Sequence, residues 1–170
     1  MGRAPDRVRA NLKIRDWLIY CPILGVTMET LQRLSRRQVD ALQAVRKLES
    51  PERGASLGSI AMTLKVRPPS ALGHLGALEE LGLVARHRGK SRLTAKGVQC
   101  LAEYQRHHRV AESLFHRVGL APEATCAAAR EVDLAISHRT VEELCRAGGH
   151  PEECPHGEPI SPCRTGRERR

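Results

Sequence analysis

The sequence predicts a mostly α-helical fold: a winged helix-turn-helix followed by a two-helix dimerisation region. Three observations predict it. Apolar residues recur at helical spacing along most of the chain, a proline-opened helix follows a shorter one after a three-residue turn, and two short extended runs flank an Arg-Gly-Lys tip. With 170 residues the chain is about one domain's worth and long enough to bury a core.

Residues 1–34 are set apart as an N-terminal extension that holds Trp17 and Tyr20, with Met28 just ahead of the first strongly helical stretch. A flexible arm, a docked arm and an over-long start account for it equally. From Ser35 to Leu48, Val39, Leu42, Val45 and Leu48 recur at three-residue steps, with Ser35 as N-cap and Pro51 beyond the end. Ser59 to Leu64 is a short helix. After Lys65-Val66-Arg67, Pro68-Pro69-Ser70 opens a longer one that carries Leu72, Leu75, Leu78 and Leu81 to Gly82. Leu83–Arg86 and Ser91–Thr94 are strands joined through Arg88-Gly89-Lys90, a hairpin with a basic tip that completes a winged-helix DNA-binding domain at 35–97.

Two long helices follow, Ala95 to Leu120 and Pro122 to Ala147, which sets 98–147 apart as a helical dimerisation domain. The first carries Leu101, Tyr104, His108, Ala111 and Phe115 on one stripe, the second Ala129, Val132, Ile136 and Leu144. Two such stripes exceed what so small a winged helix can cover, which predicts a symmetric homodimer. Residues 148–170 are a Gly- and Pro-rich loop and a basic tail ending in Arg164, Arg167, Arg169 and Arg170.

The 28 Lys and Arg against 19 Asp and Glu leave a net charge of +9, which favours a polyanionic partner. With Trp17, Tyr20, Tyr104 and Phe115 as the whole aromatic set, single-strand readers that stack bases on aromatic platforms are disfavoured, and double-stranded DNA is the expected partner. Arg86, Arg88, Lys90 and Arg92 are placed to meet phosphates, and Arg67, Pro69, Ser70 and His74 lie at the groove-facing helix start. Arg67 suits a guanine edge or a phosphate equally. Six thinly spread cysteines beside eight histidines do not resemble a disulfide framework and suggest a reducing, cytoplasmic setting. The longest apolar run, Trp17 to Val26, contains Pro22 and is shorter than the roughly 20 residues of a membrane span, so no membrane partner is expected. The chain shows no nucleophile and base arrangement, phosphate loop or His-Glu-x-x-His string, and no enzymatic activity is expected.

Residues 35–160 resemble the metal-dependent repressors of the diphtheria-toxin-repressor type, which include manganese transport regulators, in a short form without the SH3-like domain. The resemblance rests on His108-Arg109-Val110-Ala111-Glu112-Ser113-Leu114 after Leu93-Thr94-Ala95-Lys96-Gly97, on Val141-Glu142-Glu143-Leu144, and on the string from Gly148-Gly149-His150 through Cys154-Pro155-His156 to Ile160. It implies a dimeric repressor of metal-homeostasis genes, controlled by a divalent transition metal, Fe2+ or Mn2+, held between the DNA-binding and dimerisation regions. Asp40 stands where the manganese-type members place a carboxylate ligand, and His108 with Glu112 matches a histidine–glutamate ligand pair. Cys126 falls near an ancillary histidine position, and a softer site of His108, Glu112 and Cys126 would suit zinc or iron.

The family's remaining ligand cluster stands here as Arg130, Asp133 and Leu134, of which only Asp133 coordinates metals. Arg130 places a cation where the metal would sit, where it would repel the ion or neutralise the leftover carboxylates and mimic the metal-bound state. The alternative reading is therefore a winged-helix regulator with a degenerate metal site, binding DNA constitutively or answering a redox signal through Cys126 or Cys154. Pro69 and Ser70 match the family's recognition-helix start, whereas Arg67 and Gly73 depart from it. Cys154-Pro155-His156 lacks Cys-x-x-Cys spacing and is taken as a structural loop, with His107, His116 and His138 as surface residues.

Overall fold

The computed structural model describes residues 29–50 and 52–163. Trp17, Tyr20, Met28, Pro51 and the tail arginines Arg164, Arg167, Arg169 and Arg170 lie outside the described residues. The short helix α1 (Glu29–Gln32) precedes α2 (Arg36–Leu48). Within the expected extension 1–34, Thr30, Leu31 and Leu34 are buried, the two leucines in the main core. Ser35 caps α2 as its position predicts: its hydroxyl accepts from Gln38 N while Gln38 Oε1 accepts from Ser35 N at 2.7 Å. The face so started buries Val39, Leu42 and Val45, each worth about 1.5–3 kcal/mol of apolar transfer.

Helix α3 (Leu57–Leu64) begins two residues earlier than expected, because Ser56 rather than a later residue caps it, accepting from Ser59 N at 3.1 Å. Lys65 ends it in the left-handed conformation, and α4 (Pro68–Glu80) starts after Arg67 with prolines at its first positions. Ile60, Leu75 and Leu78 from these helices are fully buried against α2. Strands β2 (Val84–His87) and β3 (Lys90–Leu93) pair antiparallel around a two-residue loop. Arg88 and Gly89 both have positive φ, the type I′ geometry that matches strand twist, and glycine supplies the second such position without strain. A further strand, β1 (Ala55–Ser56), pairs with β3 in the order β1-β3-β2. At two residues it is too short for alternation to reveal.

Thr94 caps the 23-residue α5 (Ala95–Arg117), accepting from Gly97 N at 3.0 Å. Gly97 is packed so closely that a Cβ there would stand 2.0 Å from the Leu83 carbonyl oxygen. The helix expected over Pro122–Ala147 is two helices, α6 (Pro122–Val132) and α7 (His138–Ala147). The break has a local cause: Ser137 accepts from Thr140 N at 3.2 Å and so starts a new helix. It also has a tertiary one, since Leu134 packs on the core of the winged helix while Ile136 packs on a second cluster containing Val110, Val141 and Cys145. Residues 151–163 fold back over this second cluster and bury Cys154, Ile160 and Cys163 in it. Leu101, Tyr104, Ala111 and Ala129 of the expected stripes are thus covered within the chain itself. Among the described residues no helix is long and apolar enough to cross a membrane.

Candidate metal centre

α5 brings His108 and Glu112 one turn apart, and α6 lays Cys126 beside them. His108 Nε2 lies 3.3 Å from Glu112 Oε1 and 3.5 Å from Cys126 Sγ. On the other side of the ring, His108 Nδ1 donates to Asp133 Oδ2 at 2.9 Å. An ionised carboxylate only accepts, so this bond puts a proton on Nδ1 and leaves Nε2 as the ring nitrogen open to a metal. Nε2 faces a carboxylate and a sulfur. Three electron-rich atoms so close require a cation among them, either a proton or a metal ion. Donor atoms from His108, Glu112 and Cys126 all lie within 4.8 Å of one another, and this set fits a borderline divalent metal.

Glu112 is shared. Cys154 and His156, from the segment after α7, approach it from the far side, with His156 Nδ1 3.3 Å from the same Oε1. The segment is held there by Arg109, which donates to Pro159 O at 2.7 Å and pairs with Glu158 at 3.0 Å. The chain turns at this point through Gly157 N to Cys154 O at 2.9 Å, and Cys154 and His156 flank the turn. Burial and the Glu112 charge push the Cys126 and Cys154 thiols up, so both carry their protons at neutral pH until a cation displaces them. The sequence expectation of a purely structural Cys154-Pro155-His156 loop overlooked this approach. Its only signal was two metal-binding residue types two positions apart at a turn.

Asp40 and Asp133 do not join these donors. Arg130 pairs with Asp40 at 3.0 Å, from α6 back to α2. Arg36, on α2, forms a close ion pair with the fully buried Asp133, donates to Tyr104 Oη at 2.9 Å and also meets the Arg130 carbonyl. Burial alone would raise the Asp133 carboxyl, but the bonds from His108 and Arg36 hold it below the ordinary range. The position between Asp40 and Asp133 therefore holds two guanidinium groups and does not fit a metal. Arg36 was missed by sequence reasoning, since its partner lies 97 residues away.

His107 and His138, expected at the surface, are corrected by the structure. His107 is 2% exposed, and both rings turn onto Glu103, His107 Nε2 at 3.2 Å, because α7 packs across this face of α5. His116 is exposed as expected.

In the winged helix, Arg67, Pro69 and Ser70 are exposed at the start of α4 and His74 is half-buried one turn on. Arg86, Arg88, Lys90 and Arg92 are exposed on the hairpin. Arg86 is anchored by Glu79, whose carboxylate accepts from its backbone N–H at 3.2 Å and pairs with its guanidinium at 3.4 Å. The basic hairpin is thus tied to the C-terminal end of α4 through Glu79, and it and the start of α4 each expose basic side chains of the kind that meet duplex phosphates.

Residues 94–162 match the family described as "Iron dependent repressor, metal binding and dimerisation domain". No curated protein matches the sequence. Among solved structures, a hypothetical protein from Sulfolobus solfataricus aligns with a TM-score of 0.71 and 30% identity over 75% of this chain and 99% of that one. IdeR of T. acidophilum aligns at 0.57 and 26% identity over 75% of this chain and 59% of its own. ScaR with bound Zn2+ gives 0.63 and 26% over 72% and 58%. The chain thus spans somewhat under two thirds of the last two.

Proposed function

The chain belongs to the diphtheria-toxin-repressor-like family of metal-dependent transcriptional regulators, and from that premise we propose that it is a homodimeric, metal-responsive repressor of double-stranded DNA sites. One observation carries the reading: donor atoms of His108, Glu112 and Cys126 converge within 4.8 Å of one another, while Asp133 fixes the ring that presents Nε2. A metal bound here would supply positive charge to these donors. His108, Glu112 and Cys126 would hold it, with Cys154 and His156 reaching the same carboxylate. Asp133 positions His108 rather than binding the ion, and Asp40 is held by Arg130. The iron-dependent repressor and Zn2+-bound ScaR matches support a transition metal; iron, manganese and zinc all remain within the donor set's range.

The arginine pairs favour a second reading, in which guanidinium charge stands permanently in place of one metal and DNA binding persists without any. Chelation separates the two. Fluorescence anisotropy with duplex from the region upstream of the chain's own gene should show roughly 10- to 100-fold tighter binding with Mn2+, Fe2+ or Zn2+ than with chelator. Equal affinity in both would establish the metal-independent reading. His108→Ala should abolish the metal stimulation while leaving non-specific affinity, and a fully metal-responsive His108→Ala protein would remove His108 from the ligand set.

Arg67, Pro69, Ser70 and His74 face the groove and the hairpin residues Arg86, Arg88, Lys90 and Arg92 face phosphate in this proposal. Replacing Arg88 and Lys90 by glutamine should weaken binding to every duplex and flatten the salt dependence by about one unit of slope per lost contact. An unchanged slope would show that the hairpin does not touch the backbone.

A further inference from the structure

A separate donor cluster closes the C-terminal segment onto α7. Cys145 lies in the last turn of that helix, Cys163 at the end of the described segment, and His150 in the turn between them. His150 Nδ1 stands 3.7 Å from Cys145 Sγ and 3.1 Å from Cys163 Sγ, and all three donor atoms lie within 4.8 Å of one another. Zinc bonded to sulfur at about 2.3 Å and to nitrogen at about 2.0 Å, at tetrahedral angles, sets sulfur and nitrogen ~3.5 Å apart. The two separations bracket that value.

Small buried cysteines also serve as plain core residues, and both sulfurs do sit in the second apolar cluster at 3% and 4% exposure. Core packing does not explain the imidazole. His150 is largely exposed, yet its ring turns inward onto both sulfurs, and its backbone is held at φ 56, a left-handed conformation that costs a side-chain-bearing residue energy. Its N–H donates to the Cys145 carbonyl at 2.8 Å, so the turn is wound around the residue that supplies one of the sulfurs. Arg106, 4% exposed, completes the surroundings: it donates to Ser161 O at 3.1 Å and pairs with Glu142 at 2.9 Å, tying α5, α7 and the segment together beside the cluster.

We infer that Cys145, His150 and Cys163 form a zinc site that staples residues 148–163 to α7. Two thiolates and an imidazole are a soft donor set, suited to Zn2+ and poorly suited to Mn2+. Binding releases the two thiol protons to solvent, and His150, ligating through Nδ1, keeps its proton on Nε2. A water molecule or an outside ligand fills the fourth position. The stapled segment is the one that carries Cys154 and His156 to Glu112, so this zinc has a structural role in keeping them there. The assignment stands on its own donors and does not depend on the role given to His108.

The test uses the full chain, reduced, stripped by chelator and reloaded with Co2+ or Zn2+. In Cys126→Ser/Cys154→Ser protein, which lacks the sulfurs of the other centre, Co2+ should still produce the near-ultraviolet thiolate charge-transfer band, and about one equivalent of Zn2+ should displace it. Adding both Cys145→Ser and Cys163→Ser should erase the band. Because His150 is exposed, His150→Ala should keep its circular dichroism spectrum yet bind Zn2+ at least about 10-fold more weakly, the loss expected for a ligand. The inference is overturned if the Cys126→Ser/Cys154→Ser protein shows no band, if His150→Ala binds Zn2+ as tightly as its parent, or if thiol titration of the protein before any reduction finds Cys145 and Cys163 joined as a disulfide.

Discussion

Asp133→Ala is expected to lower folding stability by about 3 kcal/mol and the melting temperature by roughly 10 °C. Asp133 is fully buried and takes bonds from Arg36 and from His108 Nδ1. Truncation leaves a guanidinium without its counter-charge, and the penalty sits toward the low end for buried pairs because the Arg36 side chain is 28% exposed and regains some water. The effect also has a pH signature. Asp133's carboxyl is depressed in the fold, so its contribution is complete above the ordinary aspartate range near pH 4 and is lost as pH falls through the lowered folded value. Urea melts at pH 7 and near pH 3 should therefore separate wild type from Asp133→Ala far more at pH 7. The variant should also release His108 from its fixed tautomer and weaken metal binding by about 10- to 100-fold. A variant as stable as wild type at pH 7 would mean that the Arg36–Asp133 ion pair contributes nothing net.

Gly97→Ala should be the other severe change, costing about 3 kcal/mol although it places the best helix former in the first turn of a helix. The added Cβ would meet the Leu83 carbonyl oxygen at 2.0 Å, and that oxygen already accepts from Thr94 N at 3.0 Å. Neither partner is a flexible side-chain end, so α5 must shift away from the base of the hairpin. Gly76→Ala in α4 is the control, since nothing stands within 4 Å of its Cβ position, and it should gain about 1 kcal/mol. Differential scanning calorimetry decides: Tm rising for both variants would contradict the close approach at Gly97.

Local signals carried the winged helix. Ser35 as a cap, Pro68 at a helix start and Arg88-Gly89 in a tight turn act within a few residues, and the structure uses each of them there. What stayed hidden depends on distant partners. The run Val132, Leu134, Ile136 reads as one continuing apolar stripe, and only the two separate cores that receive Leu134 and Ile136 turn it into a break. Likewise nothing near Arg36 announces Asp133, and nothing near Cys154 announces Glu112. Asp40 and Asp133 are carboxylates at family ligand positions by sequence; the arginines that occupy them become visible only when α2 and α6 are laid side by side.

α5 runs without interruption from Thr94, beside the hairpin, past His108 to Arg117. At 1.5 Å per residue the stretch from Ala95 to His108 is a rigid arm of about 20 Å. Pivoting such an arm by about 5° at its donor-bearing end moves the other end by nearly 2 Å, a large fraction of a hydrogen-bond length. Under the proposed function, adjustments of a few tenths of an ångström around one imidazole would be geared up mechanically into displacements at the hairpin large enough to make or break a phosphate contact.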